Sequence, residues 1–261
     1  MTIRWLDVFL DRPRGQVDEA ARFWASVTGT TISRWRGGHT FASLLPADGD
    51  GYLRIQGVDQ LAPGGGEHVD LEVDDVLAER DRAVGLGAVV LLVEDGLVVL
   101  HSPEGLPFCL SRWEGAATRP APVGSPPSRV DQLALDIPAA RYAVESGFWT
   151  ALTGWGRHRG SLAEFEVLRP DGWGDGSPAE LPARILLQQT GAGQTGIHID
   201  LSAADRSATT LAHEALGATI VVVKPAWTVL RDPVGGVYCV TDRDPVTGSL
   251  AAPLRAVTRP I

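Results

Sequence analysis

The sequence lacks several features that mark particular classes of protein. Lys224 is its only lysine, so a mechanism that needs a Schiff base is disfavoured. The longest apolar run, Leu86 to Val93, is far shorter than the roughly 20 residues that span a bilayer. The segment from Met1 to Leu10 carries charges and has no apolar core of signal-peptide length. These absences predict a cytoplasmic protein without a membrane partner.

The charge and the cysteine content narrow the classes further. The formal net charge is −9 and the basic residues form no stripe or tail, so nucleic acid is not an expected partner. There are only two cysteines, Cys109 and Cys239, and a cytosolic location argues against a disulfide between them. Apolar residues make up 44% of the chain, which is typical of a globular protein.

The two halves of the chain repeat one another. Matching segments lie 130 residues apart, among them His68-Val-Asp-Leu and His198-Ile-Asp-Leu, Leu86-Gly-Ala and Leu216-Gly-Ala, Phe108-Cys109 and Tyr238-Cys239, and Arg54-Ile and Arg184-Ile. At the start of each half the spacing is 125, as between Phe23-Trp24 and Phe148-Trp149. One constant spacing over several motifs indicates an internal duplication.

Each half contains two smaller units. Residues 67–73 alternate in polarity like a strand, a helix with an Asp cap follows, and three further strand-like runs complete the unit. We therefore predict an α+β protein of four βαβββ modules, at residues 3–58, 67–113, 129–190 and 197–243. They would form two curved-sheet, open-barrel domains at 1–113 and 129–245, joined by a Pro/Gly-rich linker at 114–128 and followed by a tail at 246–261.

This ordered set of motifs resembles the vicinal-oxygen-chelate superfamily, which includes glyoxalase I, extradiol dioxygenases and bleomycin-resistance proteins, and in particular its glyoxalase-like domain subgroup. The resemblance depends on three pairs of motifs. These are the strand motifs that begin with His68 and His198, the two Leu-Gly-Ala segments, and the turns before Cys109 and Cys239. The resemblance implies a small molecule bound in the concave face of a curved sheet. In metal-dependent members, strands that end in this cup supply His and Glu ligands.

The resemblance also indicates which residues line the cup. The ligand-binding candidates are Trp5, Asp7, Phe9, Arg54, His68, Asp70, Arg184, His198 and Asp200. The metal-ligand candidates are His68, Cys109, His198 and Cys239. Cysteine stands where the family's Glu is expected, and Trp5 and Val130 occupy positions where other members carry a ligand. No cofactor is therefore favoured, and a divalent Zn, Fe, Mn or Ni ion is the alternative.

Three functions remain open at this stage. The first is a metal-free small-molecule binding protein of the bleomycin-resistance kind, whose aromatic and acidic cup residues suit a flat or cationic ligand. The second is a metal-dependent lyase, isomerase or ring-cleaving dioxygenase that uses the histidines with Asp70 or Asp200. The third is a purely structural module. Arg54 and Arg184 would bind an anionic ligand, pair with Asp70 and Asp200, or be exposed. The chain is expected to be a monomer or a homodimer.

Overall fold

The N-terminal half of the computed structural model forms one sheet of eight strands with two helices. The structure describes residues 3–61, 66–177 and 180–250. The elements of the first half, with a single 3-10 turn before α1, are β1 (Ile3–Pro13), α1 (Val17–Thr28), β2 (Thr31–Ile32), β3 (Phe41–Leu45), β4 (Leu53–Val58), β5 (Glu67–Val73), α2 (Val76–Gly85), β6 (Val89–Glu94), β7 (Leu97–His101) and β8 (Pro107–Arg112).

The C-terminal half repeats the same order of elements. They are β9 (Ser128–Pro138), α3 (Tyr142–Thr153), β10 (Gly156–Arg159), β11 (Phe165–Arg169), β12 (Arg184–Thr190), β13 (Gly196–Ala203), α4 (Arg206–Ala215), β14 (Thr219–Val223), β15 (Trp227–Arg231) and β16 (Val237–Thr241). The predicted βαβββ order is confirmed in all four units. Among the described residues, no helix is both long and apolar enough to cross a membrane.

Both sheets are open and share one topology. The first has the strand order β2-β3-β4-β1-β5-β8-β7-β6, and the second has the order β10-β11-β12-β9-β13-β16-β15-β14. At the centre, the first strands of two units pair antiparallel, β1 with β5 and β9 with β13. Each of these strands also pairs in parallel with the last strand of its own unit. The two units of a half therefore meet at the middle of the sheet.

Local chemistry explains where the helices begin and end. Helix α1 ends at Thr28 because Gly29 adopts a left-handed conformation with φ of 59°, and Gly154 does the same after α3 with φ of 67°. Helices α2 and α4 begin after Asp75 and Asp205, whose carboxylates each accept a backbone hydrogen bond of 3.0 Å at the first turn. The repeated Thr-Gly and Asp motifs of the sequence are thus helix boundaries.

Two predictions about the extent of elements change in the structure. In the module predicted at 3–58, the first strand after α1 is reduced to the two residues Thr31–Ile32, because it lies at the edge of the sheet and pairs with β3 alone. The predicted tail is described only to residue 250, and residues 251–261 lie outside the described part of the chain. Within the described tail, Gly248, Ser249 and Leu250 line a cavity of the C-terminal half.

The two halves share one hydrophobic core. The Trp24 ring of α1 lies 4.9 Å from the ring of Tyr238 on β16. In the reciprocal contact, Trp149 of α3 lies 5.4 Å from Phe108 on β8. The first helix of each half thus packs against the last strand of the other half, so the repeated Phe-Trp pairs are core residues that join the halves.

A buried ion network also connects the halves. Arg12 lies 2.9 Å from a Glu67 oxygen and 2.9 Å from an Asp232 oxygen, and all three side chains are at most 3% exposed. Trp24 donates its indole N–H to Asp232 at 3.1 Å. Because Arg12 and Glu67 belong to the first half and Asp232 to the second, this network fixes one half against the other.

Candidate functional site

The central strands of the C-terminal sheet place their polar side chains on one face. In β9, Leu133 and Leu135 pack into the core, while Gln132 and Asp136 alternate with them on the opposite face. This alternation repeats along β13. The concave face therefore carries residues that are separated in sequence but adjacent across the strands.

His198 stands at the centre of this polar group. Its Nδ1 lies 3.1 Å from an oxygen of Asp136, and its Nε2 lies 3.3 Å from Asp200 Oδ1. The Nε2 atom also faces the Cys239 Sγ at 3.7 Å. Burial by itself would lower the pKa of His198, but the neighbouring Cys239, Asp136 and Asp200 raise that pKa well above its usual value. Burial also raises the pKa of the Cys239 thiol to about 11, with a contribution from Asp200.

The N-terminal half holds an equivalent group with different surroundings. His68 Nδ1 lies 2.7 Å from Asp11, and His68 Nε2 lies 3.6 Å from Asp70. The ring of Phe9 stacks on the His68 ring, with centroids 4.6 Å apart and an interplanar angle of 11°. Cys109 is the register partner of Asp70, and burial together with Asp70 raises the pKa of its thiol.

The residue opposite the histidine differs between the halves. Phe9 is the register partner of His68, and Ala134 is the register partner of His198. Ala134 is fully buried in a small apolar cluster with Val167 and Leu186, against which Phe165 packs. A cavity of about 300 Å³ lies over this part of the C-terminal sheet. Its lining includes Gln132, Phe165, Arg169, Arg184, Leu186, His198, Asp200, Trp227, Cys239 and Arg243.

Arginines supply most of the charge around this cavity. Among the described residues, four arginines line it, Arg159, Arg169, Arg184 and Arg243, and Asp200 is the one carboxylate. A positive cavity in a chain with a net charge of −9 attracts anions locally, because charges near a low-dielectric wall are weakly screened.

An apolar wall faces the charged residues. The rings of Phe165 and Trp227 lie 5.8 Å apart at an angle of 56°. Val167 and Leu186 also line the cavity, and both are mostly buried. A ligand in this cavity would therefore contact aromatic and aliphatic groups on one side and guanidinium groups on another.

The remaining predicted site residues of the first half are largely engaged with one another. Arg54 donates to Asp7 at 2.9 Å. Burial raises the pKa of Asp7 to about 6 in spite of Arg54. Trp5 is 1% exposed and belongs to the hydrophobic core. The structure thus places Asp7, Phe9, Arg54, His68 and Asp70 together on the N-terminal sheet. Their counterparts lie on the C-terminal sheet.

The two arginines that the repeat aligned are not at equivalent positions. Arg54 is the register partner of Phe9, whereas Arg184 is the register partner of Gln132. The true counterpart of Arg54 is Leu186, the partner of Ala134. The sequence spacing therefore misaligned these strands by two residues, because the loops before them differ in length. Arg54 does not form the ion pair with Asp70 that the sequence allowed, because its carboxylate partner is Asp7.

Sequence reasoning missed several residues of the group. Asp11 contacts His68, and Asp136 contacts His198. Each aspartate lies two positions after the register partner of its histidine, which is Phe9 in the first half and Ala134 in the second. The period of two along a strand was a signal for their facing. Nothing in the sequence pattern indicated Arg243, which follows β16 and donates to Asp131 at 2.5 Å and to Gln132 at 3.0 Å.

The donor atoms in each half are compatible with a divalent ion. Ligand atoms of His198, Asp200 and Cys239 all lie within 4.8 Å of one another, as do those of His68, Asp70 and Cys109. Asp200 Oδ1 is buried and has no hydrogen-bond partner among the described residues, although it faces His198. The Nδ1 contact to Asp136 is the outer contact that orients a metal-binding imidazole. One nitrogen, one sulfur and one oxygen donor suit zinc best.

The comparison with protein families identifies the chain. A model described as "Glyoxalase-like domain" matches residues 7–111 and again residues 132–241. The chain belongs to the glyoxalase-like domain family. The match covers both halves, which confirms the duplication and the predicted membership of the vicinal-oxygen-chelate superfamily. No curated protein sequence matches the chain.

Solved structures of glyoxalase-like and dioxygenase proteins share this fold. BphC, a halotolerant catechol dioxygenase, has 14% identity and a TM-score of 0.62 over 92% of this chain and 87% of its own. A trihydroxybiphenyl dioxygenase from Sphingomonas wittichii has 11% identity and a TM-score of 0.61 over 92% and 90%. The Mn(II)-bound glyoxalase from Novosphingobium aromaticivorans has 16% identity and a TM-score of 0.61 over 92% and 81%. At these identities the likeness establishes the fold alone.

Proposed function

We propose that this glyoxalase-like protein binds a small organic molecule in the cavity over β9, β12, β13 and β16, and that the N-terminal half is a filled copy of the same cup. The observation that carries this proposal is the cavity of about 300 Å³ whose lining includes His198, Asp200 and Cys239. Apolar side chains border it on one side, and polar and charged groups border it on another. That composition is typical of small-molecule sites.

Binding is tested by equilibrium dialysis and thermal shift with a panel of small aromatic and aliphatic compounds. The panel contains acids, neutral amides and amines of matched shape. We expect compounds to bind with one site per chain, and binding to be lost in Trp227→Ala, which removes a ring from the cavity lining, while His68→Ala leaves it unchanged. Retention of binding in Trp227→Ala, or its loss in His68→Ala, would place the site elsewhere.

A second candidate is a metal-dependent enzyme that uses the same cavity. His198, Asp200 and Cys239 would hold the ion, with Asp136 orienting the imidazole. When bound, a divalent ion supplies Lewis-acid stabilisation of negative charge on ligand oxygens. The arginines of the cavity would bind and orient the substrate, and the Phe165–Trp227 wall would exclude water from it.

Elemental analysis separates the two candidates. Protein expressed with added Zn, Mn, Fe or Ni salts is purified without chelator and assayed for bound metal. One ion per chain that is lost in His198→Ala but kept in His68→Ala supports the enzyme. Metal-free protein that still binds organic compounds supports the binding protein. Two ions per chain, one lost in each variant, would show that the first half is also a metal site.

We also propose a cytoplasmic location. Both cysteines are free and buried, which suits a reducing compartment. Cell fractionation with an antibody against the chain tests this, and recovery in the secreted fraction would contradict it.

A further inference from the structure

Arg184 is the most buried of the three cavity arginines, with Arg159 and Arg169, that form no ion pair within the described part of the chain. Its side chain lines the cavity and the residue is 6% exposed. Its Nε donates to the amide oxygen of Gln132 at 2.8 Å. Within the described part of the chain, no carboxylate lies within ion-pair distance of this guanidinium, although pairs of this kind are recorded for Arg12, Arg54 and Arg243.

The neighbouring Arg243 does not share this property. It donates to Asp131 at 2.5 Å, to Gln132 at 3.0 Å and to Thr241 at 2.9 Å. Its charge is therefore balanced by Asp131 and its donors are largely used. Burial, together with the nearby Arg243, lowers the pKa of Arg184 to about 9, so the second arginine adds to the cost of keeping the first one charged.

In the N-terminal half, a carboxylate of the protein itself neutralises the charge of the arginine beside the histidine group. Asp7 and Asp70 are register partners there, and Asp7 accepts the hydrogen bond from Arg54. At the corresponding position of the C-terminal half, Gln132 is the partner of Asp200. Glutamine keeps a hydrogen-bond acceptor for Arg184 but provides no negative charge. The guanidinium also lies over the Trp173 ring, with its Cζ 5.9 Å from the ring centroid, but neither contact supplies a full negative charge. A buried cation without a carboxylate partner is costly, so the charge is best balanced by an anion that enters from solvent.

We infer that the C-terminal cavity takes an organic anion, with its carboxylate or phosphate oxygens on Arg184 and its apolar body against Phe165 and Trp227. The inference rests on the proposed function and names the class of ligand for it. A guanidinium presents several donors in a fixed plane, which matches the paired oxygens of a carboxylate or phosphate. The expectation of a cationic ligand came from Asp7 and the aromatic residues of the first half, where Asp7 is already bound to Arg54.

Affinity for matched probes tests this inference. Phenylacetate, phenylacetamide and phenethylamine share one body and differ in charge, and benzylphosphonate with inorganic phosphate shows whether a free oxyanion suffices. We expect phenylacetate or benzylphosphonate to bind more tightly than the amide by roughly tenfold or more. The reason is that hydrogen bonds to a charged group are stronger than those to a neutral group. The amine should bind more weakly than the amide, and all titrations are run with and without EDTA.

Two variants assign the preference to Arg184. Arg184→Gln should remove the preference for the acid over the amide while changing the affinity for the amide little. Gln132→Asp installs the carboxylate that the first half uses, so it should remove the same preference with Arg184 still present. If Arg184→Gln fails to fold, Gln132→Asp still decides the question. The exposed Arg231→Gln on β15 is the control and should leave the preference unchanged.

The outcomes separate this inference from the proposed function. Equal binding of acid, amide and amine to the native chain would overturn the anion assignment and leave a small-molecule site in place. A preference for the acid that vanishes with EDTA or in His198→Ala but persists in Arg184→Gln would assign the anion to a metal ion and overturn it as well. The inference also fails if inorganic phosphate is the only probe that binds and if it binds at millimolar concentrations to both the native protein and Arg184→Gln.

Discussion

Phe9 and Ala134 occupy equivalent positions opposite the two site histidines. Phe9 stacks on His68 at 4.6 Å, whereas Ala134 is buried beside Val167 and Leu186, and His198 lines a cavity. The histidine, its two carboxylate neighbours and the cysteine recur in both halves. The same polar group therefore carries a stacked aromatic ring in the first half and borders a cavity in the second.

Loss of the aromatic wall is the first prediction. Trp227→Ala removes the ring that lines the cavity next to Phe165, and it should reduce ligand binding at least tenfold. We expect the stability cost to be about 1–3 kcal/mol, because Trp227 is only partly buried. Isothermal titration with the best probe measures binding, and urea denaturation measures the free energy of unfolding. A stable variant with unchanged affinity would contradict the role given to this position.

Removal of the ring that stacks on His68 should open the first half. Phe9→Ala removes this ring, and because Phe9 is only partly buried we expect a loss of about 1–3 kcal/mol in unfolding free energy. The variant should gain a second, weaker binding site in titrations, since His68, Asp11 and Asp70 remain in place. Phe41→Ala, on β3 two strands away in the same sheet, serves as a control for general loss of packing. A titration that still fits one site would show that Phe9 alone does not fill the cup.

The ion network between the halves should be essential for stability. Arg12→Leu leaves Glu67 and Asp232 buried without their cation, and breaking such a pair costs about 3–5 kcal/mol. Arg14→Leu is the matched control, because Arg14 forms an exposed pair with Asp59 and such pairs contribute little. Urea denaturation of both variants provides the comparison. Equal stabilities of the two would mean that the network is not a major link between the halves.

The buried His213 predicts a loss of stability in mild acid. Burial lowers its pKa from 6.5 to about 4, and its Nδ1 lies 3.0 Å from the Tyr238 hydroxyl. Between these pH values the unfolded chain binds the proton more readily, so the unfolding free energy falls as pH decreases through this window. The full effect is at most about 3 kcal/mol. His213→Gln should flatten this part of the pH profile, and the exposed His158→Gln should not.

Much of the architecture follows from local sequence signals. The βαβββ pattern of residues 3–58 predicts a helix after the first strand, and the structure has α1 there at Val17–Thr28. Strand β5 is predicted from alternating polarity over residues 67–73 in the same way. These signals are local because backbone hydrogen bonds, caps and side-chain periodicity depend on neighbours within a few residues.

The site needed information that local patterns do not contain. The pairing of Arg54 with Phe9 but of Arg184 with Gln132 depends on strand register, which is set by loops of different length and by contacts distant in sequence. Arg243 reaches the cavity from beyond β16, next to residues more than a hundred positions earlier. No spacing rule relates these positions.

By itself, the sequence determined the duplicated βαβββ units and the repeated histidines and cysteines, because each is encoded in a periodic or repeated motif. Only the tertiary structure decided which helices join the halves, which residues line the cavity, and that the buried Arg184 has no carboxylate partner among the described residues. These features depend on side chains brought together by packing and strand pairing, such as Asp7 or Gln132 beside a guanidinium.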